Sequence, residues 1–252
     1  MKVICLTGSE LRHDYFIAYV ESILSVELVV REKKFRTIKS CNDEINKFHL
    51  SFIKKQEKYF HKIKIKSKNI LNVDAGEINS GVVVKSVKKI DPNIILVFGT
   101  SLLKGEILLL PRTQILNIHT GIVQLFRGVD SAFWSLYNNK PEGIGVTIHE
   151  VDSTIDFGKV VLQKRVDISL FDDVHDLFFK SVILGFELLK EVLYLIEHDR
   201  LRLKSVQIKG KLYQNIDMSI EAIRYVEKNT HSILSMYLDR KYKHDKDFPI
   251  YS

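Results

Sequence analysis

The sequence predicts an α/β fold, a mostly parallel sheet with helices on both faces, followed by a small C-terminal appendage. Two observations predict it. Short apolar runs alternate with stretches of helical periodicity through about residue 200, the pattern of a sheet whose crossovers are helices. From about Leu203 the alternation gives way to short pieces, so the domain boundary is drawn between 1–200 and 201–252.

Taken in order, Lys2 to Thr7 is an apolar run closed by Gly8-Ser9, and Tyr15, Ala18, Tyr19 and Ile23 mark the helix behind it. Val26 to Val30 is the second strand. Cys41 to Tyr59 reads as a polar helix, and Ile78 to Lys88 as another that ends just before Asp91-Pro92. Ile94 to Phe98 is a fully apolar strand closed by Gly99, and Gln114 to His119 is a further one. Ser131 to Asn138 is a short helix with Asp130 and Ser131 as N-cap candidates. Two more strands follow, Gly145 to Val151 and Lys159 to Arg165. Asp172 to Glu197 carries a wide apolar stripe from Val174 to Leu195, opened by Asp172 and Asp173, whose charges suit a helix N-terminus. Met218 to Lys228 is an amphipathic piece of the appendage. In such a sheet ligands sit beyond the carboxyl ends of the strands, so the site is expected in the loops that follow them.

Composition bounds the function classes. With 252 residues, 45% of them hydrophobic and 27% charged, the chain is neither disordered, collagenous nor a coiled coil. Two cysteines, Cys5 and Cys41, are too few for a secreted disulfide framework, and Cys5 lies in an apolar run, which points to the cytoplasm. No apolar run reaches the roughly 18 to 20 residues that span a bilayer, and the first strand lacks the cleavage site of a signal peptide. The net charge of +7 is concentrated in Arg31 to Lys39, Lys54 to Lys68 and Arg240 to Lys246. Those runs lack the aromatic interleaving of a base-stacking surface, so they read as solvated faces and nucleic acid is not an expected partner. A moderate positive field favours anionic ligands in general.

The stretch Leu116 to Gln163 is chemically the most informative. Asn117 and His119 lie two apart at the carboxyl end of a strand, so both point to one side of it. An amide that donates to a developing oxyanion, beside an imidazole that takes a proton near neutral pH, suits acyl transfer. Asp156 lies in the turn-like Asp-Ser-Thr-Ile-Asp-Phe-Gly segment, where a carboxylate folding back over the sheet edge would meet His119. Singly, blander readings win: His149 as a partly buried partner, Trp134 as core, Asp152 as a turn cap. Gly8 and Ser9 offer backbone N–H groups to an anion at a helix N-terminus, or form an ordinary turn. No dinucleotide fingerprint or phosphate loop is present, and no metal ligands are assigned.

Asn117-Ile118-His119, Arg127-Gly128, Gly145-Val146-Thr147-Ile148-His149 and the Asp152 to Gly158 turn stand in the order and spacing of the formyltransferases that use 10-formyltetrahydrofolate, and the chain resembles that family. The resemblance is closest over Phe98 to Gln163 and extends over Met1 to Glu197. It implies a Rossmann-like formyltransferase fold, with Asn117, His119 and Asp156 on the family's catalytic positions and His149 on the neighbouring strand. It also implies that the folate lies against Phe98, Gly99, Thr100 and Leu102, against the loop from Ile122 to Arg127 and Gly128, and near Asp152. The acceptor is expected near Gly8, Ser9 and Trp134. Departures are visible: Thr120 to Gly128 lacks both prolines usual in that loop, and Thr154 and Phe157 replace the usual Gly and Thr.

The resemblance further implies that an uncharged amine attacks the formyl carbon, with Asn117 donating to the oxyanion, His119 taking the proton and Asp156 orienting His119. Trp134-Ser135-Leu136-Tyr137-Asn138 is similar to the branches acting on amino sugars and on initiator tRNA. Only about fifty residues follow the long helix, too few for the barrel domain of a tRNA enzyme. A sugar-nucleotide N-formyltransferase is therefore expected, acting for instance on a dTDP-amino-dideoxy sugar for surface polysaccharide. Glycinamide ribonucleotide formyltransferase and a non-catalytic folate-binding homologue are the alternatives. The apolar faces of the appendage, including Leu212, Tyr213, Ile220, Ile223 and Val226, either pack on the sheet or join two copies, and a homodimer is expected.

Overall fold

The computed structural model describes residues 1–33 and 42–251, Tyr242 by its backbone alone. The expected helix start at Cys41 and residues 34–39 of the first basic run lie outside them. The elements are β1 (Val3–Thr7), α1 (Leu11–Ile23), β2 (Val26–Glu32), α2 (Asp43–Tyr59), β3 (Ile70–Val73), α3 (Gly81–Ile90), β4 (Ile94–Phe98), β5 (Gln114–His119), β6 (Phe126–Gly128), α4 (Ser131–Tyr137), β7 (Gly145–Glu150), β8 (Val160–Arg165), α5 (Val174–Glu197), β9 (Lys211–Tyr213) and α6 (Ile220–Asp247). Among the described residues they fall into two compact units. One holds residues 1–33, 60–118 and 149–158; the other holds 42–59, 119–148 and 159–251.

In the first unit the strands lie in the order β3-β2-β1-β4-β5, every adjacent pair parallel. The order reverses direction between β1 and β4, the kind of point where α/β sheets open a crevice for ligands. β1, apolar up to Thr7, and β4, apolar throughout, are fully buried, as strands covered on both faces must be. On one face Ile4, Leu6, Val30 and Ile95 pack with Val83 and Val87 of α3; on α1, Phe16, Ile17 and Val20 are buried. α3 stops where the sequence said it would: Asp91 turns left-handed (φ 51°) in front of Pro92. β1 also carries Cys5, whose thiol burial pushes far above its usual range, leaving it chemically inert.

In the second unit α2 starts on Asn42, whose side-chain oxygen accepts from the N–H groups of Glu44 (2.8 Å) and Ile45 (3.3 Å). α5 starts on Asp173, which accepts from His175 and Asp176, as the Asp172-Asp173 opening implied. α4 departs from expectation. Asp130 is left-handed (φ 53°) and neither its side chain nor that of Ser131 caps the helix; Ser131 Oγ instead lies 3.2 Å from His119 Nε2.

Residues from 201 on are grouped with 159–200 in the second unit, where they carry β9 and α6. α6 runs on to Asp247, well past the expected piece Met218 to Lys228, and within it Thr230 donates its hydroxyl to Val226 O (2.6 Å). Its buried face, Ile223, Val226, Ile233, Leu234 and Tyr237, joins Phe133, Trp134 and Leu136 of α4 in one core. Tyr213, Ile223 and Val226, put forward above as a face that could join two copies, are therefore spent on the unit's own interior. β9 pairs parallel with β6, Gly128 opposite Tyr213. Gly128 has φ 87°, and a Cβ there would lie 2.1 Å from Tyr213 O. Gly128→Ala is expected to cost at least about 1–3 kcal/mol through the backbone alone, lowering Tm by roughly 3 °C or more. An unchanged melting curve would show that β6 and β9 tolerate a shift.

Candidate active site

Asn117 lies near the carboxyl end of β5, and the 149–158 segment returns beside that strand, fastened by Val151 N–H to Ile115 O (2.9 Å). That return brings three polar side chains together. Asn117 Nδ2 lies 3.1 Å from His149 Nε2 and donates to Asp156 Oδ1 at 3.3 Å; His149 Nε2 is 3.3 Å from the same Oδ1. The His149 and Asp156 side chains are largely withdrawn from solvent, 3% and 10% exposed. Asp156 occupies the left-handed region (φ 49°), a conformation that costs a non-glycine residue energy and is most often kept where a side chain must be aimed.

The hydrogen-bond partners assign the protons. His149 Nδ1 faces Glu150 O at 2.7 Å, and a carbonyl only accepts, so Nδ1 carries the hydrogen and the neutral ring has its lone pair on Nε2. Asn117 then gives one N–H to His149 and one to Asp156. His119, 5% exposed, belongs to the second unit, where its Nε2 faces Phe126 O (3.1 Å) and Ser131 Oγ (3.2 Å). By the same reasoning Nε2 carries the hydrogen and the neutral ring keeps its lone pair on Nδ1. Within the first unit Asp156 thus meets both Asn117 and His149. The sequence marked His149 by motif, but strand position alone did not reveal what it touches.

The other expected residues divide. Phe98 is buried and closes β4 against His13 (ring centroids 5.2 Å) and Phe16 (5.6 Å). Gly99 has φ 71°, and a Cβ at Gly99 or at Gly8 would lie 2.5 Å from the His13 ring, so both strand-end turns need glycine to admit that imidazole. Thr7 Oγ1 donates to Phe98 O (2.7 Å), which ties the two ends together. Ser9 O accepts from Arg31 Nη2 (3.4 Å). Leu102 and Thr100 lie in the segment after β4, where Leu102 O accepts from Asn79 and Thr100 Oγ1 donates to Ser101 O.

Four more make contacts within the protein. Trp134, expected at the acceptor, is 2% exposed and stacks on Tyr213 with centroids 4.0 Å apart, because α4 is buried on all sides in the second core. Ile122 is likewise interior, its N–H bound to Gly143 O. Arg127 Nε donates to Gly210 O (2.9 Å), next to the pairing that Gly128 permits. Asp152 caps its own turn, accepting from Thr154 N–H at 2.7 Å. The loop that lacks prolines is fixed by other means. Thr147 Oγ1 donates to Gly121 O (2.7 Å) and accepts from Val123 N–H, while Gln124 and Gln163 pair amide to amide (2.8 and 2.6 Å).

Known proteins are similar to this chain in sequence and fold. Over 116 residues, 45% of this chain and 37% of the other, the sequence is 33% identical to a methionyl-tRNA formyltransferase of Clostridioides difficile. Over 104 residues, 41% of this chain and 40% of the other, it is 29% identical to a GDP-perosamine N-formyltransferase of Brucella melitensis. The matched stretches thus cover about two-fifths of these relatives. The fold resembles that of a sugar N-formyltransferase from Shewanella, with a TM-score of 0.60 at 18% identity, over 86% of this chain and 78% of that one. The sequence pattern of the formyl transferase family matches residues 52–193, more than half of the chain and the stretch that contains Asn117, His149 and Asp156, and the chain belongs to that family.

Proposed function

We propose that this protein moves the formyl group of 10-formyltetrahydrofolate to the amine of a nucleotide-linked amino sugar, such as a dTDP-amino-dideoxy sugar, for surface polysaccharide synthesis. The observation that carries this reading is the Asn117, His149 and Asp156 cluster at the carboxyl end of β5 in a chain of the formyl transferase family. An amino-sugar acceptor is supported by a fold likeness to a sugar N-formyltransferase over most of both chains, and by a GDP-perosamine N-formyltransferase among the sequence relatives. The buried thiol of Cys5 accords with a reducing compartment, the cytoplasm. No helix among the described residues is long and apolar enough to cross a membrane.

The donor supplies a formyl carbon open to attack by an amine. Asn117 exchanges one of its two N–H contacts, to His149 or to Asp156, for the oxygen that gains negative charge, a contribution of roughly 3 kcal/mol for one well-placed donor. His119 accepts the proton that the attacking nitrogen must lose, on Nδ1, the nitrogen its bond to Phe126 leaves with a lone pair. Asp156 holds the Asn117 amide and takes up positive charge at the site, with His149 as its fixed neighbour. The β4 end, Phe98 to Leu102, presents backbone to the flat ring of the folate. The Gly8-Ser9 turn faces the acceptor, beside the Arg31–Asp14 ion pair.

The test is tetrahydrofolate release from 10-formyltetrahydrofolate with a panel of amino-sugar nucleotides, glycinamide ribonucleotide and methionyl-tRNA. Release with an amino-sugar nucleotide alone is the expected result. Release only with glycinamide ribonucleotide or the tRNA would replace the acceptor, and folate binding with no release from any of them would make the protein a binding homologue.

A further inference from the structure

We infer that Glu32 and Asn79 are positioning residues for the donor: they hold the backbone from Gly99 to Lys104, to which the proposed function assigns the folate, and the inference rests on that reading. Glu32 closes β2 with no exposed surface, where a carboxylate is tolerated only if its oxygens are bonded. One oxygen accepts from Gly76 N–H at 2.7 Å and the other from Ser101 N–H at 2.6 Å. Asn79, in the turn before α3, donates Nδ2 to Leu102 O (2.9 Å) and accepts the Lys104 N–H on Oδ1 (2.7 Å).

Three backbone groups in four residues are thus fixed by two side chains from other elements. The segment lies beyond the end of β4, so no strand pairing given for β4 reaches it. Gly99 bends the chain at its start with a positive φ. Recognition of a flat heterocycle by backbone N–H and C=O groups demands that those groups already point the right way, because a segment ordered only on binding loses that cost from affinity. Glu32 also anchors Gly76, the loop after β3, so it sets two strand-end loops against one another. A purely structural role and a positioning role differ in what they move: the first lowers the melting temperature, the second weakens donor binding in protein that is still folded.

The experiment measures binding of 5-formyltetrahydrofolate by calorimetry to the wild type, Asn79→Ala and Glu32→Gln, with melting curves and separate KM values for donor and acceptor. Glu32→Gln sets an amide NH2 against a backbone N–H; Asn79→Ala removes both bonds to the segment. Each variant is expected to bind the folate about tenfold or more weakly, the equivalent of losing one strong hydrogen bond, and to raise the donor KM in parallel while the acceptor KM stays within about twofold. Folate affinity unchanged in folded variants overturns the inference and leaves the proposed function standing. A wild type that does not bind the folate overturns both. If Glu32→Gln does not fold, Asn79→Ala, at a half-buried position, decides alone.

Discussion

An Asn117→Ala protein is expected to fold normally and to turn over about 10²–10³ times more slowly than the wild type, with the donor KM little changed. Asn117 is only partly buried at the end of β5, so truncating it opens no large cavity and stability is expected to fall by under about 1.5 kcal/mol. What disappears is the amide that the structure aims at the catalytic corner by two contacts, 3.1 Å to His149 Nε2 and 3.3 Å to Asp156 Oδ1. Asn117→Asp sharpens the test. It keeps the shape, replaces a donor by an acceptor and sets a second carboxylate beside Asp156, so it is expected to be no faster than the alanine variant. Single-turnover rates of tetrahydrofolate release, with circular dichroism and melting curves on the same samples, decide the matter. A folded Asn117→Ala protein within about threefold of the wild-type rate would remove Asn117 from the mechanism.

How far the sequence discloses this molecule depends on the length scale of the signal. β1, β4 and β5 are legible because apolar runs end at Gly8, Gly99 and His119. α5 is legible because its stripe is long and opens on Asp173, which does cap it. β3, β6 and β9 escape, since three or four residues carry no periodicity and their pairing is set by partners far along the chain. α6 extends beyond the piece legible over Met218 to Lys228, and sequence alone does not show Thr230 donating back to Val226. The site shows the same limit. Asn117 and Asp156 are 39 residues apart, and only motif resemblance joined them; the return of the chain at Val151 is what makes them neighbours. Trp134 and Ile122 carry the right residue types for ligand contact, but type says nothing about facing, and both face a core. The missing prolines have a counterpart in Thr147, Gln124 and Gln163, side chains from three segments whose joint action no local pattern announces.

The two histidines are expected to behave differently, and the difference tests whether Asp156 works with its structural partner. His119→Ala removes the group to which the proposed function assigns the proton and is expected to lower kcat by about 10²–10⁴. His149→Ala removes a group that touches Asn117 and Asp156, and is expected to lower kcat by about 5- to 100-fold, the worth of one bond to a polar or charged partner. The decisive measurement is the cycle between His149→Ala and Asp156→Ala. His149 Nε2 and Asp156 Oδ1 stand 3.3 Å apart and share the Asn117 amide, so neither variant leaves the other's contribution intact. The double variant is therefore expected to fall within about threefold of Asp156→Ala alone. Were the two losses to multiply, His149 would act independently of Asp156, and the cluster would be a neighbourhood and not a unit.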